Sequence, residues 1–159
     1  GAVTAERMPA VKGRETETVE LLGERPLFYL PGLTLEFARL VHEGEEFSSV
    51  PNYGCLATFA GPPPYRAVFL GDAKPADPAV ADWLNGRAVD LALLNFPWIC
   101  LPRGRRFLAQ SVPAKKIAVL HLPYEQTDRN HYLDVTRKAA ALYRPEDTVL
   151  LTAFGQTYP

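Results

Sequence analysis

The stretch RAVFLGD at residues 66–72 decides how this chain is expected to fold. Its middle part, Ala67 to Leu70, is an apolar run of the kind that forms a β-strand. Gly71 then lets the backbone turn sharply, which places Asp72 directly after the strand. In α/β proteins, binding and catalytic groups gather where strands end and loops begin. Asp72 is therefore the first candidate for a functional residue.

Upstream of this stretch, the pattern predicts short strands, one helix and a loop. Three prolines at residues 62–64 stiffen the connection of a predicted hairpin, because proline fixes φ. The helix is predicted to begin at Thr34, to carry Phe37, Leu40 and Val41 on one face, and to stop at Gly44. Residues 45–54 are predicted to be a loop. The predicted strands are Val19–Leu22, Leu27–Leu30 and Cys55–Ala60.

Downstream, helices alternate with apolar runs. Asp77 and Pro78 are typical of a helix start, and Asn85-Gly86 of its end. Val89–Leu94 is a continuous apolar run with one acid, as in strands buried on both faces. A basic loop follows at residues 102–107. The last elements predicted are a strand at 117–120, a helix at 128–143 and a strand at 149–151. This order indicates an α/β fold in which helices cover a mixed β-sheet.

Composition limits the class of protein. The chain has 159 residues, 47% of them hydrophobic, and a net charge of −1. Residues 18–159 are expected to form one domain and residues 1–17 an N-terminal arm. A nucleic-acid partner is not expected without a basic excess, nor a membrane, since no apolar run is long enough. Two cysteines without a framework, and the lack of a signal peptide, favour a cytoplasmic location.

A second polar group follows another apolar run. His121 ends the predicted strand at 117–120, and aspartate and neutral histidine are both good ligands for zinc. Asp72 and His121 are therefore candidate catalytic and metal-binding residues, with His131 as a further metal ligand. In the basic loop, Arg105 and Arg106 are candidates for binding the phosphate or carboxylate of a small-molecule substrate, because arginine forms bidentate contacts with such groups.

Three segments together resemble one half of a known fold. They are RAVFLGD at 66–72, VDLALL at 89–94 and KIAVLH at 116–121. In their order and spacing they look like the C-terminal half of metallo-β-lactamase-fold hydrolases, closest to the lactonase and phosphodiesterase-like branch. The resemblance covers roughly residues 47–155. It implies half of an αββα sandwich in which Asp72 and His121 hold a divalent metal, such as zinc, for hydrolysis of an ester, lactone or phosphoester.

The chain departs from that family at two places. It contains no His-x-His-x-Asp-His string, since its only histidines are His42, His121 and His131. Phe47 stands where the family places a histidine before the Gly-Asp pair. The ligand set in this chain would be incomplete, so the missing ligands would come from another segment or a partner.

Two other readings therefore stay open. One is a catalytically silent relative that binds a ligand or another subunit, as a homodimer or with a separate N-terminal half. The other is an unrelated α/β enzyme in which His121 and either Asp128 or Glu125 form an acid–base pair. In that case the resemblance to hydrolases would carry no information about the site.

Overall fold

A computed structural model describes residues 25–153 and 155, and these residues form one seven-stranded sheet. The strands lie side by side in chain order; β1 to β4 are antiparallel, and β4 to β7 are parallel. The predicted α/β class with a mixed sheet is confirmed. The strands are β1 Leu27–Leu30, β2 Leu33–Leu40, β3 Asn52–Phe59, β4 Tyr65–Phe69, β5 Val89–Asn95, β6 Ala114–Leu120 and β7 Thr148–Leu150.

Helices follow the strands of the parallel half. They are α1 Pro78–Leu84, α2 Pro97–Cys100, α3 Pro102–Ser111 and α4 Tyr132–Leu142. α1 begins and ends as predicted: the Asp77 carboxylate accepts a hydrogen bond from the Ala79 amide at 3.0 Å, and Asn85 adopts a left-handed conformation at the other end. α4 also forms as predicted, although it begins four residues later than expected.

The helix predicted from Thr34 is wrong, because these residues form β2. Leu33, Leu35 and Phe37 alternate with more polar residues, which is the period of a strand. Backbone pairing with both β1 and β3 satisfies every second amide on each side, and this pairing outweighs the local helix signal. The predicted loop at 45–54 also ends earlier than expected, since Asn52 is already the first residue of β3 and pairs with Leu40 of β2.

The loop predicted at residues 102–107 is also wrong, because these residues are the first turns of α3. Pro102 occupies the first turn, where a proline lacks no needed hydrogen bond. Gly104 is buried against the Trp98 carbonyl, where a β-carbon would clash with the backbone. α2 and α3 therefore pack closely, and the arginines of this segment project from a helix.

The core lies on one face of the sheet. Ala92, Leu94 and Val68 are fully buried there together with Trp83 of α1 and Trp98 of α2. The strand residues between these point to the opposite face. Along that face lie apolar side chains that stay outside the core and remain partly exposed, among them Leu35, Phe37, Ala57, Ala67, Leu91 and Leu93.

Within residues 25–153 and 155, no helix is both long enough and apolar enough to cross a membrane. The strand predicted at Val19–Leu22 and the arm predicted at residues 1–17 lie outside the described residues.

Candidate functional site

Four strands deliver polar side chains to one edge of the sheet. β2, β4, β5 and β6 run in the same direction, so their carboxyl ends meet at this edge. The polar residues at the strand ends or within three residues after them are His42 and Glu43 after β2, Asp72 after β4, Asn95 at the end of β5, and His121 after β6. We call this set the strand-end site.

Asp72 and His121 contact each other directly. The His121 Nδ1 atom lies 2.5 Å from Asp72 Oδ1, although 49 residues separate them in sequence. The His121 side chain is 63% exposed and that of Asp72 is 34% exposed. His121 has a φ of 59°, in the left-handed region that most residues avoid. These two residues, which follow separate apolar runs in the sequence, thus lie at the same edge of the sheet.

The Asp72 backbone is held by Asn52, the first residue of β3. The Asn52 Oδ1 atom accepts a hydrogen bond from the Asp72 amide at 2.9 Å, and its Nδ2 donates to the Leu70 carbonyl at 3.3 Å. Gly71 lies between these two contacts with a φ of 57°. A β-carbon on Gly71 would stand 2.5 Å from Asn52 Oδ1. Glycine is therefore required here both for the backbone conformation and for the close approach of Asn52.

His42 lies on the other oxygen of the same carboxylate. Its Nδ1 donates a hydrogen bond to the Glu43 carbonyl at 2.6 Å, since a carbonyl can only accept. In the neutral imidazole, Nε2 then carries a lone pair, and it stands 3.7 Å from Asp72 Oδ2. That distance exceeds a hydrogen bond. In this form of His42, Nε2 and Asp72 Oδ2 are both acceptors, and a metal cation between them would have a ligand atom on each side.

Phe47 packs against His42. The two rings lie 5.3 Å apart at an interplanar angle of 46°. The Glu43 amide also donates to the Asp72 carbonyl at 2.7 Å, so the segment after β2 is tied to the segment after β4. His42 is consequently held beside Asp72 from two sides.

The remaining sequence candidates have other partners or other places. His131 is exposed at the N-terminus of α4. Arg105 donates to the carbonyls of Ile99 and Cys100 at 2.6 and 3.0 Å, which ties α3 to the end of α2. Arg106 is exposed on α3. Neither arginine forms a described contact with Asp72 or His121.

The alternative acid–base partners of His121 are engaged elsewhere. The Asp128 carboxylate accepts hydrogen bonds from the amides of Tyr132 and Leu133 at 2.9 and 2.7 Å, so it caps α4. Glu125 lies 3.7 Å from Arg137. The partner that His121 has is Asp72.

The strand-end site contains the types of ligand atom that bind divalent metals. Carboxylate oxygen and imidazole nitrogen are ordinary zinc ligands, and the backbone contact of His42 Nδ1 is the kind that orients a ligating histidine. Across the described residues, however, no three His, Cys, Asp or Glu side chains are arranged to hold a metal ion as they stand. His131 is accordingly not grouped with Asp72 and His121 in the described residues.

The two cysteines lie outside the strand-end site. Burial raises the pKa of both the Cys55 and the Cys100 thiols above the ordinary value, which disfavours the reactive thiolate. Cys100 Sγ lies 3.5 Å from the Thr136 hydroxyl. Both are free, as the sequence predicted.

A crevice of about 400 Å³ lies beside β2 and α1, with Leu40, Val41 and Trp83 in its wall. Its size falls in the ordinary range for small-molecule sites. Neither Asp72 nor His121 lines it. The chemistry-bearing groups and this crevice are therefore separate features.

Sequence reasoning gave His42 little weight and overlooked Asn52 and Asn95. A helix that begins at Thr34 and stops at Gly44, as the pattern predicts, would place His42 near its end and away from Asp72. Once these residues form β2, parallel in direction to β4, His42 must emerge at the same edge as Asp72. The strand period of Leu33, Leu35 and Phe37 is the signal that could have placed it there.

Comparison of the chain with protein-family models and with curated proteins finds no match to either.

Proposed function

We propose that the strand-end site takes part in metal-dependent hydrolysis of an ester, lactone or phosphoester, with Asp72 and His121 as metal ligands. The observation that carries this proposal is the position of one carboxylate between two imidazoles. Asp72 Oδ1 contacts His121, and Asp72 Oδ2 lies 3.7 Å from His42 Nε2. A divalent cation there would interact favourably with the carboxylate and, when His42 is neutral, with the Nε2 lone pair.

Each residue has a distinct part in this proposal. A divalent ion supplies Lewis acidity toward water and toward a carbonyl or phosphoryl oxygen. Asn52 fixes the Asp72 backbone, and the Glu43 carbonyl fixes the tautomer of His42 so that Nε2 is directed at the carboxylate. The His121 side chain is more exposed than those of Asp72 and His42, so it is the one most accessible to a substrate. Catalytic zinc normally has three protein ligands, and we place the missing ones in a segment outside the described residues or in a partner.

The test is equilibrium dialysis of the purified chain against Zn²⁺ and Mn²⁺, followed by elemental analysis. Wild type is expected to bind one equivalent. Asp72→Asn and His121→Ala are each expected to weaken binding at least tenfold, as loss of a ligand does. His131→Ala is the matched control, since His131 is exposed and forms no described contact with Asp72 or His121. Equal metal content in wild type and Asp72→Asn would exclude the proposal.

A second candidate is a catalytically silent subunit that pairs through the face of the sheet opposite the core, which none of the helices α1 to α4 covers. Leu35, Phe37, Leu91 and Leu93 line this face and stay outside the core. At a strand spacing of about 4.8 Å and a rise of about 3.3 Å per residue, the face covers roughly 600 Å². That approaches the ~800 Å² per partner of a standard interface. We assign a second copy of the chain as the occupant.

Sedimentation velocity distinguishes this candidate from the first. A dimer is expected at micromolar concentration, and Leu93→Gln is expected to shift it to monomer. Leu142→Gln is the control, because Leu142 is an exposed helix residue whose side chain is 88% accessible. A monomer in wild type, or a dimer unaffected by Leu93→Gln, contradicts pairing through this face.

A further inference from the structure

Asn95 carries a buried acceptor that no group in the described chain satisfies. The residue is only 3% exposed, and its Oδ1 atom has no hydrogen-bond partner. Leaving a buried polar atom unpaired costs about 1–3 kcal/mol, so such atoms are rare and call for an explanation. One other atom within residues 25–153 shares this state, Glu43 Oε2. Its carboxylate has a cation nearby, since Glu43 Oε1 lies 3.5 Å from Arg103.

The position of Asn95 in the sheet connects it to the strand-end site. β5 lies between β4 and β6, and Asn95 is its last residue. It pairs in register with Leu120, the residue before His121. On the other side, the Leu70 amide donates to the Leu93 carbonyl. Leu70 is two residues before Asp72, and Leu93 is two residues before Asn95. Asn95 therefore ends the strand that separates the strand bearing Asp72 from the strand bearing His121.

We infer that Asn95 is a ligand-binding residue of the strand-end site, and that its Oδ1 accepts a hydrogen bond from an O–H or N–H group bound there. The inference rests on the proposed function and adds a residue to it. The donor is either water held by a divalent ion or a hydroxyl or amide group next to the reactive bond of the substrate. An apolar residue would fill this position at lower cost to the fold, which is why the unpaired amide indicates a ligand.

The experiment compares Asn95→Thr with Asn95→Val, two isosteric β-branched residues that differ in one hydroxyl. Both are compatible with a strand end. Without metal, the valine variant is expected to unfold at the same urea concentration as the threonine variant, or at a higher one, because it buries no unpaired oxygen. If Asn95 only supported the fold, the valine variant would be the less stable.

Two binding measurements then identify the donor. If it is metal-held water, calorimetry with Zn²⁺ alone is expected to show about five- to tenfold weaker binding for valine than for threonine. If it is a substrate group, Zn²⁺ affinities are equal, and valine instead loses the preference of wild type for phenyl glycolate over phenyl acetate. If the threonine and valine variants behave alike in both measurements, the inference is overturned.

The outcome for Asp72→Asn, run beside these variants, separates the two proposals. If Asp72→Asn abolishes Zn²⁺ binding while threonine and valine at position 95 behave alike, the inference fails and the proposed function stands. If wild type and Asp72→Asn bind Zn²⁺ equally, the proposed function fails and the inference fails with it.

Discussion

Replacement of Gly71 by alanine tests whether the turn before Asp72 is built as described. A left-handed alanine costs about 1–2 kcal/mol relative to glycine. The new β-carbon would also stand 2.5 Å from Asn52 Oδ1, so Asn52 must move. Its hydrogen bonds to the Asp72 amide and the Leu70 carbonyl are then lost, at about 1 kcal/mol each. We expect Gly71→Ala to destabilise the chain by about 3–4 kcal/mol in total.

Gly86 supplies the matched control. It has a φ of 71°, but nothing lies within 4 Å of a β-carbon added there. Gly86→Ala is thus expected to cost only the backbone strain, about 1–2 kcal/mol. Urea denaturation measures both, and the difference of about 2 kcal/mol corresponds to roughly 4–8 °C in Tm.

An Asn52→Ala background sharpens the comparison. Without the Asn52 side chain, the cost of Gly71→Ala is expected to fall close to that of Gly86→Ala, because backbone strain and one contact at 3.3 Å with the Tyr53 carbonyl remain. Close approach of Asn52 to residue 71 is contradicted if Gly71→Ala and Gly86→Ala cost the same in the wild-type background, or if removal of Asn52 leaves the cost of Gly71→Ala unchanged.

Two further outcomes follow from contacts away from Asp72. Hydrogen bonds from Arg87 hold the pKa of Glu36 below its ordinary value, so the unfolded chain binds the proton more readily. The stability that ionised Glu36 contributes is fully present above the pKa of Glu36 in the unfolded chain, and it is lost as pH falls through the lower pKa in the folded chain. The free energy of unfolding is therefore expected to fall less steeply with decreasing pH in Glu36→Gln than in wild type. Arg105→Ala is expected to lower Tm, since Arg105 joins α3 to α2, whereas exposed Arg106→Ala is expected to leave Tm unchanged.

The parallel half of the sheet was the part that sequence could predict. Val89–Leu94 is apolar at nearly every position because Ala92 and Leu94 lie in the core and Leu91 and Leu93 are half-buried on the opposite face, and that pattern has few alternatives. Asp77, Pro78 and Asn85 likewise act through local chemistry at the ends of α1, which does not depend on the rest of the fold.

The antiparallel half was harder, because β2 depends on partners distant in sequence. Its apolar residues fit a helical face as well as a strand face until the pairing with β1 and β3 is known. The first turns of α3 were hidden by Gly104, which weakens a helix signal locally but permits the close packing against Trp98.

The candidate site divides in the same way. Asp72 and His121 each follow an apolar run directly, so their shared edge could be predicted. His42 depended on the direction of β2, and Asn95 on a buried amide at the end of an otherwise apolar strand. A polar residue that ends such a run is a signal that could have been used.

The three histidines allow the most direct test, since each gives its own imidazole signals in a ¹H–¹⁵N NMR spectrum. On titration with Zn²⁺, the signals of His121 and His42 are expected to shift or broaden and to saturate at one equivalent, while His131 stays unchanged. Binding of a cation by Asp72 between two imidazoles is contradicted if none of the three histidines responds, or if His131 responds as strongly as His121.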